Sequence, residues 1–360
     1  MSLSIRWVDQ DYNIHEDTLG LIQLPNTKAV TIFSSIKDVL IRCSLPISQC
    51  RGQAFDGASN MSGIKNGVQA LIKKEANKAL YVHCLAHSLN LCLKDVAKTC
   101  SLIRDIMSFI YELTQLIKMS PKRLTLFETL RKEVTISTGE LTPRLRMLCP
   151  TRWTVRHASI SSILRNYAVI QSALEEIACG HDEYAAKGSG MVSKMENFDT
   201  FFGLKLAYLI FSAAEQLAIN LQAKDTTVQE AVGGGKLLAS HFKSLRNEAK
   251  FDQFYDQVVA DSRELTAEPS LPRKRKAPRR IDDGASPHEY QSPRERHRHL
   301  YFEVTELTAG EVERRFLQAD IQLISEVETT LLEFSNERMT ASLPPSLQMY
   351  ISEEFDLEKL

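Results

Sequence analysis

Near residue 97 the hydrophobic pattern changes its period, and that change limits the possible folds more than any single motif does. Before it, short strand-like runs alternate with short helical patterns; after it, helical spacing continues almost unbroken to about Asp261. Ser2–Val8 alternates apolar and polar residues as a strand does, and Thr18–Leu24 offers it a neighbour. Pro25-Asn26-Thr27 is a turn and helix start, after which Ala29, Ile32, Phe33, Ile36, Val39 and Leu40 recur at helical spacing. Ile47–Phe55 predicts a strand ending at Asp56-Gly57. Ile64, Val68, Leu71 and Ile72 predict a short helix, Ala79–Val82 a strand, and Leu85, Leu89, Leu93 and Val96 a further helix. Strands followed by alternating helix and strand make this part a mixed α/β domain with a central sheet.

From Ser101 onward Leu102, Ile106, Phe109, Ile110 and Leu113, and later Phe211, Ala214, Leu217, Ala218 and Leu221, keep to one helical face. Strand signals are confined to Val134–Ser137 and Leu145–Leu148, and Gly188–Gly190 and Gly233–Gly235 are the expected breaks. Glu268–Arg298 is rich in proline and poor in apolar residues, as a linker is. Within it Arg273, Lys274, Arg275 and Lys276, followed by Arg279 and Arg280, suit a solvated linker, a nuclear-import signal or a phosphate contact. A helix over Tyr301–Phe334, broken near Ala309-Gly310, is expected next. The expected domains are therefore residues 1–97, the first part of the α/β core; 98–267, an all-α insertion; 268–299, a basic proline-rich linker; 300–335, a helix returning to the core; and 336–360, a tail.

The bulk composition excludes several classes. With 43% hydrophobic and 25% charged residues and a net charge of −1, the chain is globular and does not coat nucleic acid by bulk charge, although local basic patches remain open to it. No apolar run is expected to span a bilayer, and the N-terminal dozen residues lack a signal core. Seven scattered cysteines read as reduced intracellular thiols rather than a disulfide framework.

The densest chemistry lies between Ile47 and Leu93. Asp56 ends a strand beside a glycine turn, a place where a carboxylate can hold a divalent metal or simply cap an Asp-Gly turn. Cys84 and His87, beside His83, are three apart on one helical face; no second ligand pair stands at usable spacing, so a role near the site is expected rather than a zinc centre. Further on, Cys149-Pro150-Thr151-Arg152-Trp153 sets an aromatic beside a cation, which suits stacking on an unpaired base or a core Trp edged by Arg.

Taken together, CRGQAFDGASNMSG, YVHCLAHSLNL and CPTRW closely resemble, in this order, domesticated or decayed transposases of the hAT (hobo/Activator) superfamily, and within it zinc finger MYM-type-like proteins. The resemblance covers roughly residues 1–335. It implies an α/β RNase H-like mixed-sheet domain interrupted by a large all-α insertion. Asp56 then corresponds to the second acid of an Asp-Asp-Glu triad, Cys84 and His87 to the Cys-x-x-His element beside the site, and Arg152-Trp153 to the Arg-Trp element that stabilises a flipped base. The third acid falls on Glu306 or Glu311, between which the sequence does not decide. The family's first Asp would lie upstream of Ser2–Asp9, its DNA-binding zinc finger before Met1, and its dimerisation segment after Leu360, so a chain shortened at both ends is expected.

Two-metal phosphoryl transfer needs several carboxylates around two cations about 3.5–4 Å apart. With one acid of the triad missing, the expectation is a catalytically inactive, transposase-derived module that binds nucleic acid or protein. No cofactor is expected, Mg or Mn entering only if a longer form holds the full triad at Asp56. DNA is the expected partner, with homo-oligomers in a full-length form, no membrane, and a nuclear or else cytoplasmic location. The alternatives are an active hAT DNA transposase shortened by an incomplete gene model, and a protein-interaction scaffold with no nucleic-acid role.

Overall fold

The computed structural model describes residues 1–11, 13–55, 57–139, 142–148, 156–223, 226–272, 289–316, 321–322, 324–326 and 328–330. The chain divides into two compact units, Met1–Ser88 with Thr227–Val232 and Phe316–Leu360, and Leu89–Thr226 with Gly233–Arg315.

In the first unit, strands β1 (Ser2–Val8) and β2 (Ile14–Leu21) form an antiparallel hairpin with a register shift at Leu3/Ser4. The second strand thus begins four residues before the expected Thr18. Its start is pinned by the far end of the hairpin, where the Trp7 ring stacks on His15 at 4.5 Å and its indole N–H donates to Asp17 at 2.7 Å. Helix α1 (Ala29–Arg42) buries Ile32, Ile36 and Val39 on one stripe, as its spacing predicts. The expected strand over Ile47–Phe55 is only half strand: Ile47–Gln49 is a 3-10 turn, and β3 runs from Gly52 to Phe55. The expected helix around Ile64 is also divided, into α2 (Ser59–Ser62) and α3 (Val68–Glu75), with Ile64 itself 87% exposed between them. Gly63 and Gly67 cause the division, since a Cβ on Gly63 would lie 2.7 Å from the Ser59 carbonyl oxygen. Strand β4 (Leu80–His83) pairs parallel with β3.

Among the described residues these strands make two separate two-stranded sheets, where one central sheet was expected. The core they share is helical: Ile32, Ile36, Val68, Ile72, Ala76 and Ala79 are buried, with Leu3, Leu24 and Phe55 packed against them. The Gln53 side chain donates to the Gln69 carbonyl at 3.1 Å and so ties β3 to α3.

Helix α4 (Leu85–Thr99) leads from β4 into the second unit, which is helical throughout its regular structure: α5 (Ser101–Lys118), α6 (Pro121–Thr138), α7 (Arg156–Leu164), α8 (Tyr167–Ala178), α9 (Glu183–Met195), α10 (Phe198–Asn220), α11 (Val228–Leu245, entering the unit at Gly233), α12 (Glu248–Asp261) and α13 (Pro293–Phe316, leaving it after Arg315). Caps account for several boundaries. The side chains of Ser120, Asp182, Asn197 and Asn247 accept first-turn N–H groups of α6, α9, α10 and α12, and Gly139 ends α6 at a φ of 72°.

Four expectations fail here. Val134–Ser137 is the end of α6, because tertiary packing overrides the β-branched preference of so short a run. Leu145–Leu148 has no regular secondary structure. Both glycine clusters lie inside helices, α9 and α11. Helix α13 begins at Pro293, inside the expected linker, and passes unbroken through Ala309-Gly310, with Ala309 buried. One further departure concerns α10, which reaches the length and mean hydropathy (1.3) of a bilayer span. Helices such as α5 pack around it, and its buried residues, among them Phe201, Phe202, Leu206 and Phe211, face several directions, as they do in a helix at the centre of a bundle.

Candidate functional site

In the first unit the α/β crossover brings the ends of two strands together. The parallel register sets Phe55 opposite His83, and the Cys84 N–H donates to the Phe55 carbonyl at 3.1 Å. Cys84 therefore sits where β3 ends, beside the residue that precedes Asp56 in the chain. Asp56 itself lies outside the described residues. The Cys84 carbonyl then accepts from Ser88 N–H at 2.8 Å, which starts α4 and turns His87 back over His83, their rings 5.4 Å apart. Cys84 is exposed and both histidines are half-buried. Among the described residues no group of three His, Cys, Asp or Glu side chains converges on a position that could hold a metal ion.

In the second unit the two candidates for a third acid, both on α13, are held differently. Five residues apart, they point about 140° away from each other around the helix. Glu306 is exposed, pairs with Arg246, the residue that follows α11, at 3.3 Å, and lines an open cavity of about 350 Å³ together with Arg298 and Phe302. Glu311 turns toward α4. Its carboxylate meets Arg314 at 2.5 Å and Arg315 at 3.7 Å, and its carbonyl accepts from the Cys92 thiol at 3.3 Å. The same two arginines reach Asp95 of α4, at 3.6 and 2.5 Å. Partial burial works to raise the Asp95 carboxyl, but hydrogen bonds from Arg315 and Lys98 outweigh it and hold the group below the ordinary aspartate value. Burial pushes the Cys92 thiol up to about 12, so it stays a neutral donor inside this ion cluster.

Arg152 and Trp153 lie outside the described residues, as do Arg273, Lys274, Arg275 and Lys276. The flanks of the Trp motif are nonetheless well placed. Downstream, Arg156 is buried with its guanidinium 5.9 Å from the Phe211 ring, and His157 pairs with Glu215, so α7 is anchored on α10. Upstream, residues 142–148 run as a strap across α5, α6 and α7, with Arg144 and Arg146 exposed. Sequence reasoning missed these two arginines. The signal available was the alternation Arg-Leu-Arg after Pro143, which was read only as a weak strand.

Two family models match the chain. One, described as the ZMYM1/FAM200 RNase-like domain, matches residues 1–67, and the other, described as the ZBED1 RNase-like helical domain, matches residues 82–197. No solved structure matches. The order of the two matches follows the passage from small sheets to helices seen in the structure. Over residues 1–67 and 82–197 the chain is thus similar to an RNase-like domain followed by an RNase-like helical domain, and these two matches support a transposase-derived, ZBED/FAM200-like protein of hAT ancestry.

Proposed function

We infer that the protein is a catalytically inactive descendant of a hAT transposase that works as a nucleic-acid-binding module in the nucleus. In this reading residues 1–97 and part of the C-terminal helical region descend from an RNase H-like core, and the intervening helices are its insertion. Arg152 and Trp153 contact an unpaired base, and the basic run Arg273–Lys276 serves nuclear import. The zinc finger MYM-type-like grouping is part of the same proposal.

One observation carries the loss of catalysis: each candidate third acid is already neutralised by arginine. Glu311 shares Arg314 and Arg315 with Asp95, and Glu306 holds Arg246. A carboxylate that must grip a divalent cation in a two-metal site would have to give up these guanidinium partners first. The fitting test incubates the full chain with hairpin and nicked duplex DNA in Mg²⁺ and in Mn²⁺. The expected result is binding without cleavage or joining, and weaker binding in Trp153→Ala. Metal-dependent strand transfer that Asp56→Ala abolishes overturns the reading, and failure to bind any DNA favours the interaction scaffold instead.

A further inference from the structure

Residues 142–148, Thr-Pro-Arg-Leu-Arg-Met-Leu, have no ladder partner, so their main-chain polar groups need other partners. Side chains of the surrounding helices supply them. Arg131 of α6 donates to the Thr142 carbonyl at 2.7 Å, Asn166 at the start of α8 to the Pro143 carbonyl at 2.9 Å, and Lys118 of α5 to the Leu145 carbonyl at 3.2 Å. On α7, Ser159 donates to the Arg146 carbonyl at 2.8 Å and Ser162 accepts from the Arg146 N–H at 3.0 Å. Ser159, Ser162 and Asn166 are all fully buried, so the clamp is part of the packed interior. Leu145 is buried between Arg144 and Arg146, which are both exposed. That alternation over 144–146 belongs to extended chain, in which residues two apart lie about 6.6 Å from each other on one side.

Among the described residues the local charge is one-sided. Lys118 and Arg131 hold the strap from beneath, Arg144 and Arg146 stand on it, and Glu128, bound to Arg131, is the one carboxylate among the described residues of this network. Elsewhere most arginines are paired: Arg294 with Asp252 and Asp256, Arg298 with Glu248, and Arg314 with Glu311. Neither Arg144 nor Arg146 makes an ion pair with a described residue. In a chain of net charge −1 this is a concentrated positive feature on a rigid support.

We propose that Arg144 and Arg146 grip the phosphodiester backbone of a nucleic-acid strand, the clamped strap holding them ready. Two uncommitted planar guanidinium groups on one side of an extended segment match successive phosphates, each able to accept two parallel hydrogen bonds. Because the strap is fixed before binding, little ordering entropy is lost when the strand docks. The assignment rests on the nucleic-acid-binding reading above and adds two backbone contacts just upstream of the Trp motif.

The test measures fluorescence anisotropy of a short labelled single strand of mixed sequence with the full chain across a salt series. Arg144→Gln/Arg146→Gln should weaken binding at least ~10-fold near ~0.1 M salt and lower the salt slope by about 1.4, or ~0.7 per lost phosphate contact. Arg263→Gln, an exposed arginine on another part of the unit, should leave both unchanged, and all variants should keep the parent melting curve. A double variant with parent affinity and slope, while Trp153→Ala still weakens binding, overturns the strap assignment and leaves the nucleic-acid reading standing. A parent chain that binds no strand even at the lowest salt overturns both. Displacement of the strand by poly-glutamate at matched charge overturns it in favour of an acidic protein partner.

Discussion

Asp199 shows how much one carboxylate can organise. It lies in the first turn of α10, where the helix dipole favours negative charge, and accepts two hydrogen bonds from Arg296 at 2.8 and 2.9 Å and one from the His297 Nε2 at 2.9 Å. His297 is completely buried between Phe198 and Phe202, and its Nδ1 faces the Pro293 carbonyl at 2.7 Å. Both ring nitrogens face oxygen, so the buried ring is held at both of its polar atoms. Burial works to raise the Asp199 carboxyl, yet the bonds from His297 and Arg296 hold it below the ordinary aspartate value. A carboxyl with a depressed folded value stabilises the fold above its unfolded value, near 3.9, and that contribution is lost as pH falls through the folded value. Asp199→Asn should therefore cost about 2 kcal/mol at neutral pH, the scale of hydrogen bonds to a charged group. Calorimetric melts taken downward in pH should show the gap between parent and variant closing in acid. A gap that stays constant contradicts the linkage.

Helix α9 carries two glycines with opposite meanings. Gly188 is where α9 approaches α8: a Cβ there would lie 3.1 Å from the Ala178 nitrogen and 3.2 Å from the Leu174 carbonyl oxygen, both backbone atoms that cannot swing aside. Gly190 has nothing within 4 Å of the same position. Gly188→Val should then destabilise by about 1–3 kcal/mol through overpacking. Gly190→Ala should stabilise by about 0.5–1 kcal/mol, since it restricts the unfolded chain and meets no clash. Denaturant melts of the two variants decide it, and equal effects of one sign would contradict the packing described. The glycine cluster in this stretch reads as a break from sequence alone, because glycine's poor helix propensity is visible there while the neighbouring helix that demands it is not.

At the scale of the whole chain, local stability should be uneven. No residue of β1 or β2 is buried, and Trp7, Val8, Ile14 and Leu21 are exposed. A two-stranded hairpin with so little covered surface is marginal by itself. In the helical unit, by contrast, Ile110, Leu113, Ile117, Phe202 and Leu204 are fully enclosed. Hydrogen exchange followed by mass spectrometry should find the Ser2–Leu21 amides exchanging orders of magnitude faster than those of α5 and α10. Equal protection in the two regions would mean that the hairpin is covered in solution by something that shields its edges.

What could be read from the residues alone was whatever local periodicity and steric punctuation determine. The strand Ser2–Val8, the stripe of α1 and the passage from strand to helix after His83 are all of this kind, because each depends on neighbours within a few positions. Glu306 and Glu311 could not be separated that way. Which of them faces Arg246 and which turns to Cys92 and Asp95 depends on the turn after α11 and on α4, tens to hundreds of residues distant. The strap at 142–148 is the clearest case. Its residues carry a weak strand pattern, and only the half-buried Lys118 and the buried side chains of Arg131, Ser159, Ser162 and Asn166 take the place of a sheet and leave two arginines facing out. Backbone hydrogen bonds must be satisfied somewhere, and the chain's local pattern does not say by whom.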